Sequence, residues 1–313
     1  MRESDLQQVN GLISRAFTQG RIDDGYAHSD VPMCRTEFIS MYLSQCPEGC
    51  FVYLENGQIR GAAFCHVWGQ TGWFGPLAVA PERHLMGIGK RLVAACIDHL
   101  QRVGCTTIGL ETNPRSSRNL GFYGRFGFMP TALAVDMIRS VPTAPVSSDR
   151  LPHQTFYYSR LSDNDRREFR LHVWNLMQTV DRSADYSGLV EAVQRFKLGE
   201  SLLSIRNNTP IGFAVLQTHP TLVDEHNNFM RLIAFAAHPK TPDAYLPYFF
   251  TDWLALAQAK ALDRILLRVP VYHPRLFKLL LANQYRVVNS DVRLTLEGYG
   301  ESRPSPLHIN RWV

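Results

Sequence analysis

No stretch of this 313-residue chain is apolar for long enough to cross a bilayer as a helix, and no run of basic residues marks it. The opening Met1-Arg2-Glu3-Ser4-Asp5 has neither the apolar core of a secretory signal nor the composition of a transit peptide. The expected compartment is therefore the cytoplasm, without a membrane partner. Net charge is only +5 and is spread over both halves; nucleic-acid surfaces concentrate positive charge, so no nucleic-acid partner is expected. Cysteine is confined to the first half, at Cys34, Cys46, Cys50, Cys65, Cys96 and Cys105. Cys46 and Cys50 lack the second ligand pair of a zinc site, and several of the six sit in strand or helix patterns as small hydrophobes. No metal site is expected, and no cysteine stands in an activated-nucleophile pattern. Two phosphate motifs are also missing: there is no Gly-x4-Gly-Lys-Ser/Thr, because Arg91 follows Lys90, and no Gly-x-Gly-x-x-Gly.

What is present is enough apolar material, 45% hydrophobic against 19% charged residues, for two ordinary cores. The chain is organised around residues 73–128. A strand over 73–79 leads through a short turn to Gly87 and Gly89, which open a helix. Ile88, Leu92, Ala95, Cys96, Leu100 and Val103 recur at three- and four-residue spacing, and Gly104 stands where a left-handed cap is expected. The first amides of a helix have no partner within it, and its dipole is positive there. Two glycines at that point leave those amides open to an anion. Lys90 and Arg91, unfavourable for the dipole on their own, suit such a site. A structural turn explains a lone glycine pair equally well, so the sequel matters: a strand over 106–112, then a helix running into Gly121-Phe122-Tyr123-Gly124-Arg125-Phe126-Gly127-Phe128.

Strand, Arg/Gln-x-x-Gly-x-Gly, amphipathic helix, strand, then a helix ending in Tyr-x-x-x-Gly-Phe resembles the acetyl-CoA site of the GNAT superfamily of N-acetyltransferases. The resemblance covers the first ~140 residues, with His84 where the family usually has Arg or Gln. It implies an α/β (α+β) fold with a mixed, mostly antiparallel central sheet flanked by helices, and acetyl-CoA as cosubstrate. The cosubstrate would be held by His84, Leu85, Met86, Gly87, Ile88, Gly89 and Lys90 around its diphosphate, with Asn119 and Tyr123 further along. Leu77, Ala78 and Val79 would offer backbone groups to pantetheine from a splayed strand, with a bulge at Gly75-Pro76 just before them. An ordinary buried strand would carry the same apolar residues. The acceptor implied is a primary amine of a small molecule or peptide, and a homodimer is compatible with the pattern.

Along the chain, Asp5 is placed to cap a helix with Leu6, Val9, Leu12, Ile13 and Phe17 on one face. A second helix is expected near 35–44, and a hairpin of 51–54 with 60–68 across Asn56-Gly57. A strand over 131–138 closes a first domain, residues 1–140; residues 141–153 break every periodicity and read as a linker. Residues 154–313 then repeat the pattern at an interval of roughly 150–160 residues. Ile211-Gly212-Phe213-Ala214 echoes Arg60-Gly61-Ala62-Ala63, and Phe235-Ala236-Ala237-His238-Pro239 echoes Leu77-Ala78-Val79-Ala80-Pro81. Tyr245 and Pro247 stand in place of the glycines, Leu280 in place of Tyr123 and Arg268 in place of Glu111. Two GNAT-like domains are expected, the second binding no CoA and closing the acceptor side of the first or bracing it.

Acetyl transfer to an amine needs a neutral nucleophile, a polarised carbonyl and a proton for the departing thiolate. Tyr123, a phenol protonated at neutral pH, is the candidate donor. Glu111 and His66 are the candidate bases, directly or through water, although a lone Glu or His is more often structural. A non-catalytic CoA-binding, regulatory or scaffold protein is the alternative from another class.

Overall fold

The computed structural model describes residues 1–147, 151–223, 228–301 and 307–312. The first half runs α1 (Leu6–Asp23), α2 (Thr36–Gln45), β1 (Cys50–Glu55), β2 (Gln58–Trp68), β3 (Thr71–Val79), α3 (Ile88–Arg102), β4 (Thr107–Thr112), α4 (Ser117–Gly124) and β5 (Phe128–Ser140). The second runs β6 (Gln154–Tyr157), α5 (Asp163–Val180), α6 (Ser187–Arg195), β7 (Gly199–Arg206), β8 (Thr209–Gln217), β9 (Phe229–Ala237), α7 (Leu246–Ala259), β10 (Arg264–Pro270), α8 (Pro274–Ala282), β11 (Arg286–Leu296) and β12 (His308–Asn310). Of the expected linker, residues 148–150 lie outside the described residues. Its earlier part is tied to α7 by the Gln258 side-chain amide, which donates to the carbonyls of Pro142 and Ala144, both at 2.9 Å.

Local chemistry explains most of these elements. Asn56 and Gly57 both adopt left-handed backbone (φ 51° and 76°), which fits the twist of a two-residue hairpin turn. Helix α3 buries Ile88, Leu92, Val93, Cys96 and Leu100, while Val103, expected on that stripe, is the exposed C-cap residue. It ends at Gly104 (φ 81°), where the Cys105 amide returns to the Leu100 carbonyl at 3.0 Å. Asp5 is the N-cap residue of α1, but its carboxylate accepts from the Arg2 amide at 2.7 Å rather than capping the helix, because a 3₁₀ turn over Glu3–Asp5 precedes it.

All the strands join one mixed sheet in the order β1-β2-β3-β4-β11-β5-β10-β9-β8-β7-β6, with β12 added to β9. The two halves exchange their last strands. β11 enters between β4 and β5, pairing Arg293 with Glu111 on one side and with Ala132 on the other, and β5 pairs β10 with Asp136 opposite Arg268. Helices α1, α2, α5 and α6 contribute to one core that spans both halves, whereas α3 packs in a second and α7 and α8 in a third. The repeat read from sequence is a repeat in space: a Cβ on Gly61 would strike Ile88 of α3 at 2.7 Å, and one on Gly212 would strike Phe249 of α7 at 2.8 Å. Both glycines let a helix lie directly on its sheet. Among the described residues no helix is long and apolar enough to cross a membrane, and no group of three His, Cys, Asp or Glu is placed to hold a metal.

Candidate active site

Strands β3 and β4 run parallel but pair only from Thr71↔Thr107 to Trp73↔Gly109. Past that point β3 bulges: its register against β2 shifts between Phe74 and Leu77, at Gly75-Pro76, whose peptide bond is cis. Leu77, Ala78 and Val79 bond to β2 on one side, and their other edge borders a cavity of about 1430 Å³. At the end of the splay α3 begins. The Arg91 amide reaches the Gly87 carbonyl at 3.2 Å, which leaves the amides of Ile88, Gly89 and Lys90 without a partner in the helix. Gly87 is required for its φ of +81° rather than for space, since a Cβ there would meet nothing within 4 Å. Gly89 leaves room for the Phe122 ring, from which a Cβ would sit 3.3 Å, tighter than ordinary contact. The preceding loop is pinned by ion pairs from Arg83 to Glu55 (2.7 Å) and Arg60 to Glu82 (3.0 Å), while Leu85 and Met86 project into solvent.

The second half has the same splay with a different outcome. β9 and β10 also pair in parallel over three residues only, Phe229↔Arg264 to Arg231↔Leu266. Beyond it the edge at Ala234–Ala236 is taken by β12, which pairs His308↔Ala236 and Asn310↔Ala234. The start of α7 is filled too. Tyr245 is buried there, its hydroxyl 3.1 Å from Nδ1 of His153, whose Nε2 meets Asp252 at 2.7 Å. The chain's own strand thus augments the edge equivalent to the one left open at Leu77–Val79.

Every sequence-predicted site residue except Met86 lines the cavity: His66, Leu77, Ala78, Val79, His84, Leu85, Gly87, Ile88, Gly89, Lys90, Glu111, Asn119 and Tyr123. Tyr123, half-buried on α4, packs against Phe74 and Phe122 with ring centroids 6.1 and 5.2 Å away. Burial raises its hydroxyl well above the ordinary phenol value, so it is protonated at neutral pH. Asn119 donates to the Thr112 hydroxyl at 3.3 Å, and His84 Nε2 lies 3.3 Å from the Val79 carbonyl.

The two candidate bases are held differently from what their residue types suggest. His66 stacks on Trp73 (3.8 Å), meets the edge of Tyr42 and places Nε2 2.7 Å from the Gly75 carbonyl. Burial pushes its pKa down to about 3, which makes it neutral and a very weak base. A carbonyl can only accept, so Nε2 carries the proton and holds the bulge. Glu111 gives one oxygen to Arg268 (2.7 Å) and the other to Arg293 (2.6 Å), and its side chain is 2% exposed. Both oxygens of Glu111 are therefore committed to guanidiniums of the second half.

Residues that sequence reasoning missed come from the second half. Arg231 and Ile233 on β9, Arg268 on β10, Asn289 and Asp291 on β11, and Arg311 and Trp312 after β12 all line the same cavity. Trp312 fits because Gly109 on β4 has no side chain; a Cβ there would lie 2.3 Å from its ring. Asp291 contacts Arg268 at 2.5 Å, and burial raises its carboxyl above the usual range against the pull of that guanidinium. A basic or acidic residue in a strand some 150 residues from the motif carries no local signal.

Comparison with known proteins agrees with this geometry. Residues 11–128 match the model of the acetyltransferase (GNAT) family. N-alpha-acetyltransferase 30 of Schizosaccharomyces pombe is 34% identical over 92 residues, a stretch that covers 28% of this chain and 61% of that protein, so the chain spans less than two thirds of that relative. Among solved structures, a tandem GNAT protein from the clavulanic acid biosynthesis pathway aligns over 96% of this chain and 98% of its own (TM-score 0.58, 13% identity). A GCN5-related N-acetyltransferase from Sphaerobacter thermophilus aligns over 94% and 93% (TM-score 0.59, 14% identity). Residues 11–128 are thus similar to the acetyltransferase (GNAT) family, and the chain as a whole has the fold of tandem GNAT proteins.

Proposed function

We propose that the first-half cleft transfers an acetyl group from acetyl-CoA to the primary amine of a small molecule or peptide, by direct attack in a ternary complex. The observation that carries this reading is the contrast between two equivalent strand edges. One is covered by the chain's own β12, and the other, among the described residues, stays open beside three amides that have no partner within their helix. An extended pantetheine suits the open edge at Leu77–Val79 as an added strand does, and a diphosphate suits the amides of Ile88, Gly89 and Lys90.

Acetyl-CoA supplies an activated thioester; the remaining work belongs to the protein. A backbone N–H on the open edge of β3 polarises the carbonyl. Tyr123 keeps its proton until a thiolate develops and then donates it. His66 holds the bulge that shapes this edge. Removal of the proton from the incoming ammonium falls to water, because His66 is too weakly basic and both oxygens of Glu111 are held by Arg268 and Arg293. Calorimetric titration with acetyl-CoA, followed by thiol-release screening against small amines, amino acids and peptides, tests this reading. One equivalent bound and thiol released with an amine supports it; binding without release across the panel replaces it with a CoA-binding regulatory or scaffold role.

A further inference from the structure

The inner wall of the cavity, contributed by the second half, carries an unusual cation. Arg311 lines the cavity, its side chain is only 11% exposed, and among the described residues its guanidinium makes one hydrogen bond, a long one of 3.4 Å from Nη1 to Asp136. That carboxylate is already committed. Arg268 takes both of its oxygens at 2.8 Å, and the Asn289 amide adds a bond at 3.3 Å. The other nearby acids are engaged as well, Glu111 and Asp291 by the same Arg268. A guanidinium has five donors, and burying a charge with most of them unmet is costly. Burial and the neighbouring Arg268 lower the Arg311 pKa to about 10, the direction expected of a cation short of counter-charge.

The backbone fixes where Arg311 stands. Its amide bonds to the Ile233 carbonyl at 3.0 Å, continuing the β12–β9 ladder, and Arg231, two residues before Ile233 on β9, lines the cavity on the same face. Arg311 and Arg231 therefore both border the cavity, from neighbouring positions of the β12 extension and β9. Trp312, locked against Gly109, prevents this corner from shifting.

We propose that the acceptor carries a compact anion, a carboxylate or a phosphate, in addition to its amine, and that Arg311 with Arg231 binds this anion on the wall supplied by the second half. The inference rests on the acetyltransferase reading and goes further by naming the acceptor class. It gives the second half a function beyond bracing: it selects the substrate.

The test uses matched pairs in the presence of CoA: amino acids against their carboxamides, and phosphoethanolamine against ethanolamine. Binding is measured by calorimetry and turnover by thiol release with acetyl-CoA. The anion-bearing member of at least one pair is expected to bind on the order of tenfold to a hundredfold more tightly, the range for a charge-assisted hydrogen bond. Arg311→Ala should erase that preference, raising KM more than it lowers kcat, with acetyl-CoA affinity retained; Arg311→Lys should restore part of it. Preference within the amino-acid pairs identifies a carboxylate, and within the ethanolamine pair a phosphate. Equal binding of both members of every pair to the unaltered protein overturns the proposal, whatever the variants do. Thiol release with equal preference overturns it while leaving the transferase reading intact, and anion-selective binding without thiol release supports the subsite while removing that reading.

Discussion

Replacing Glu111 by Gln separates a structural carboxylate from a catalytic one. Glu111 sits on β4 between Arg293 and Arg268, with side-chain exposures of 2%, 0% and 3%. Both arginines come from the second half, so the carboxylate joins the halves across the exchanged strands. Removing one partner from a buried ion pair costs about 3–5 kcal/mol, because charge is left uncompensated. Here the lower end applies: Arg268 keeps Asp136 and Asp291, and Arg293 keeps Glu301 at 2.9 Å. With an unfolding entropy of about 2.1 cal/mol/K per residue, 313 residues give roughly 0.66 kcal/mol/K, so a loss of about 3 kcal/mol lowers Tm by about 5 °C. Differential scanning calorimetry measures the shift, and thiol release below the transition measures turnover per folded molecule. We expect a Tm drop of that size with most turnover kept. An unchanged Tm with turnover lost by a hundredfold would refute the reasoning and make Glu111 the base.

Tyr123→Phe should lower kcat by roughly a hundredfold, the lower range for loss of a general acid, with little change in acetyl-CoA affinity; unchanged turnover in a thiol-release assay removes Tyr123 from the mechanism. Gly89→Glu places a carboxylate at the helix amides and against Phe122, and calorimetry should show acetyl-CoA affinity falling at least about tenfold; retained affinity contradicts the phosphate site. For pH, burial lowers the pKa of His66 to about 3 and of His273 and His308 to about 4. In the unfolded chain each sits near 6.5, so between pH 6.5 and about 4 the unfolded state binds more protons and stability falls as pH falls, by about 1.4 kcal/mol per unit for each histidine. Tm measured at pH 7.5 and 5.0 should show this decline, and His66→Asn should reduce its slope by about a third; a flat profile contradicts the buried neutral state.

The candidate site of the first half drew on signals that are local. Two glycines, a three- and four-residue periodicity and a Tyr-x-x-x-Gly-Phe ending lie within 60 residues, and the structure gathers those residues around one cavity. The doubling was legible too, through Gly61 and Gly212, which each need the same close helix contact. The sequence also aligned Arg268 with Glu111, and this read as loss of a functional group. In the fold the two touch, because exchange of β5 and β11 brings equivalent positions of the halves to one place. Contacts across more than 150 residues have no periodicity to betray them. Nor does a three-residue strand: His308–Asn310 gives no pattern, yet it closes the second splay and delivers Arg311 and Trp312 to the cavity.

The most direct measurement is a crystal structure with acetyl-CoA bound. The diphosphate is expected on the amides of Ile88, Gly89 and Lys90, pantetheine hydrogen-bonded along Leu77–Val79, and the sulfur within hydrogen-bond distance of the Tyr123 hydroxyl. Acetyl-CoA bound elsewhere, or a β3 edge left unpaired while acetyl-CoA saturates the protein in solution, would contradict this arrangement.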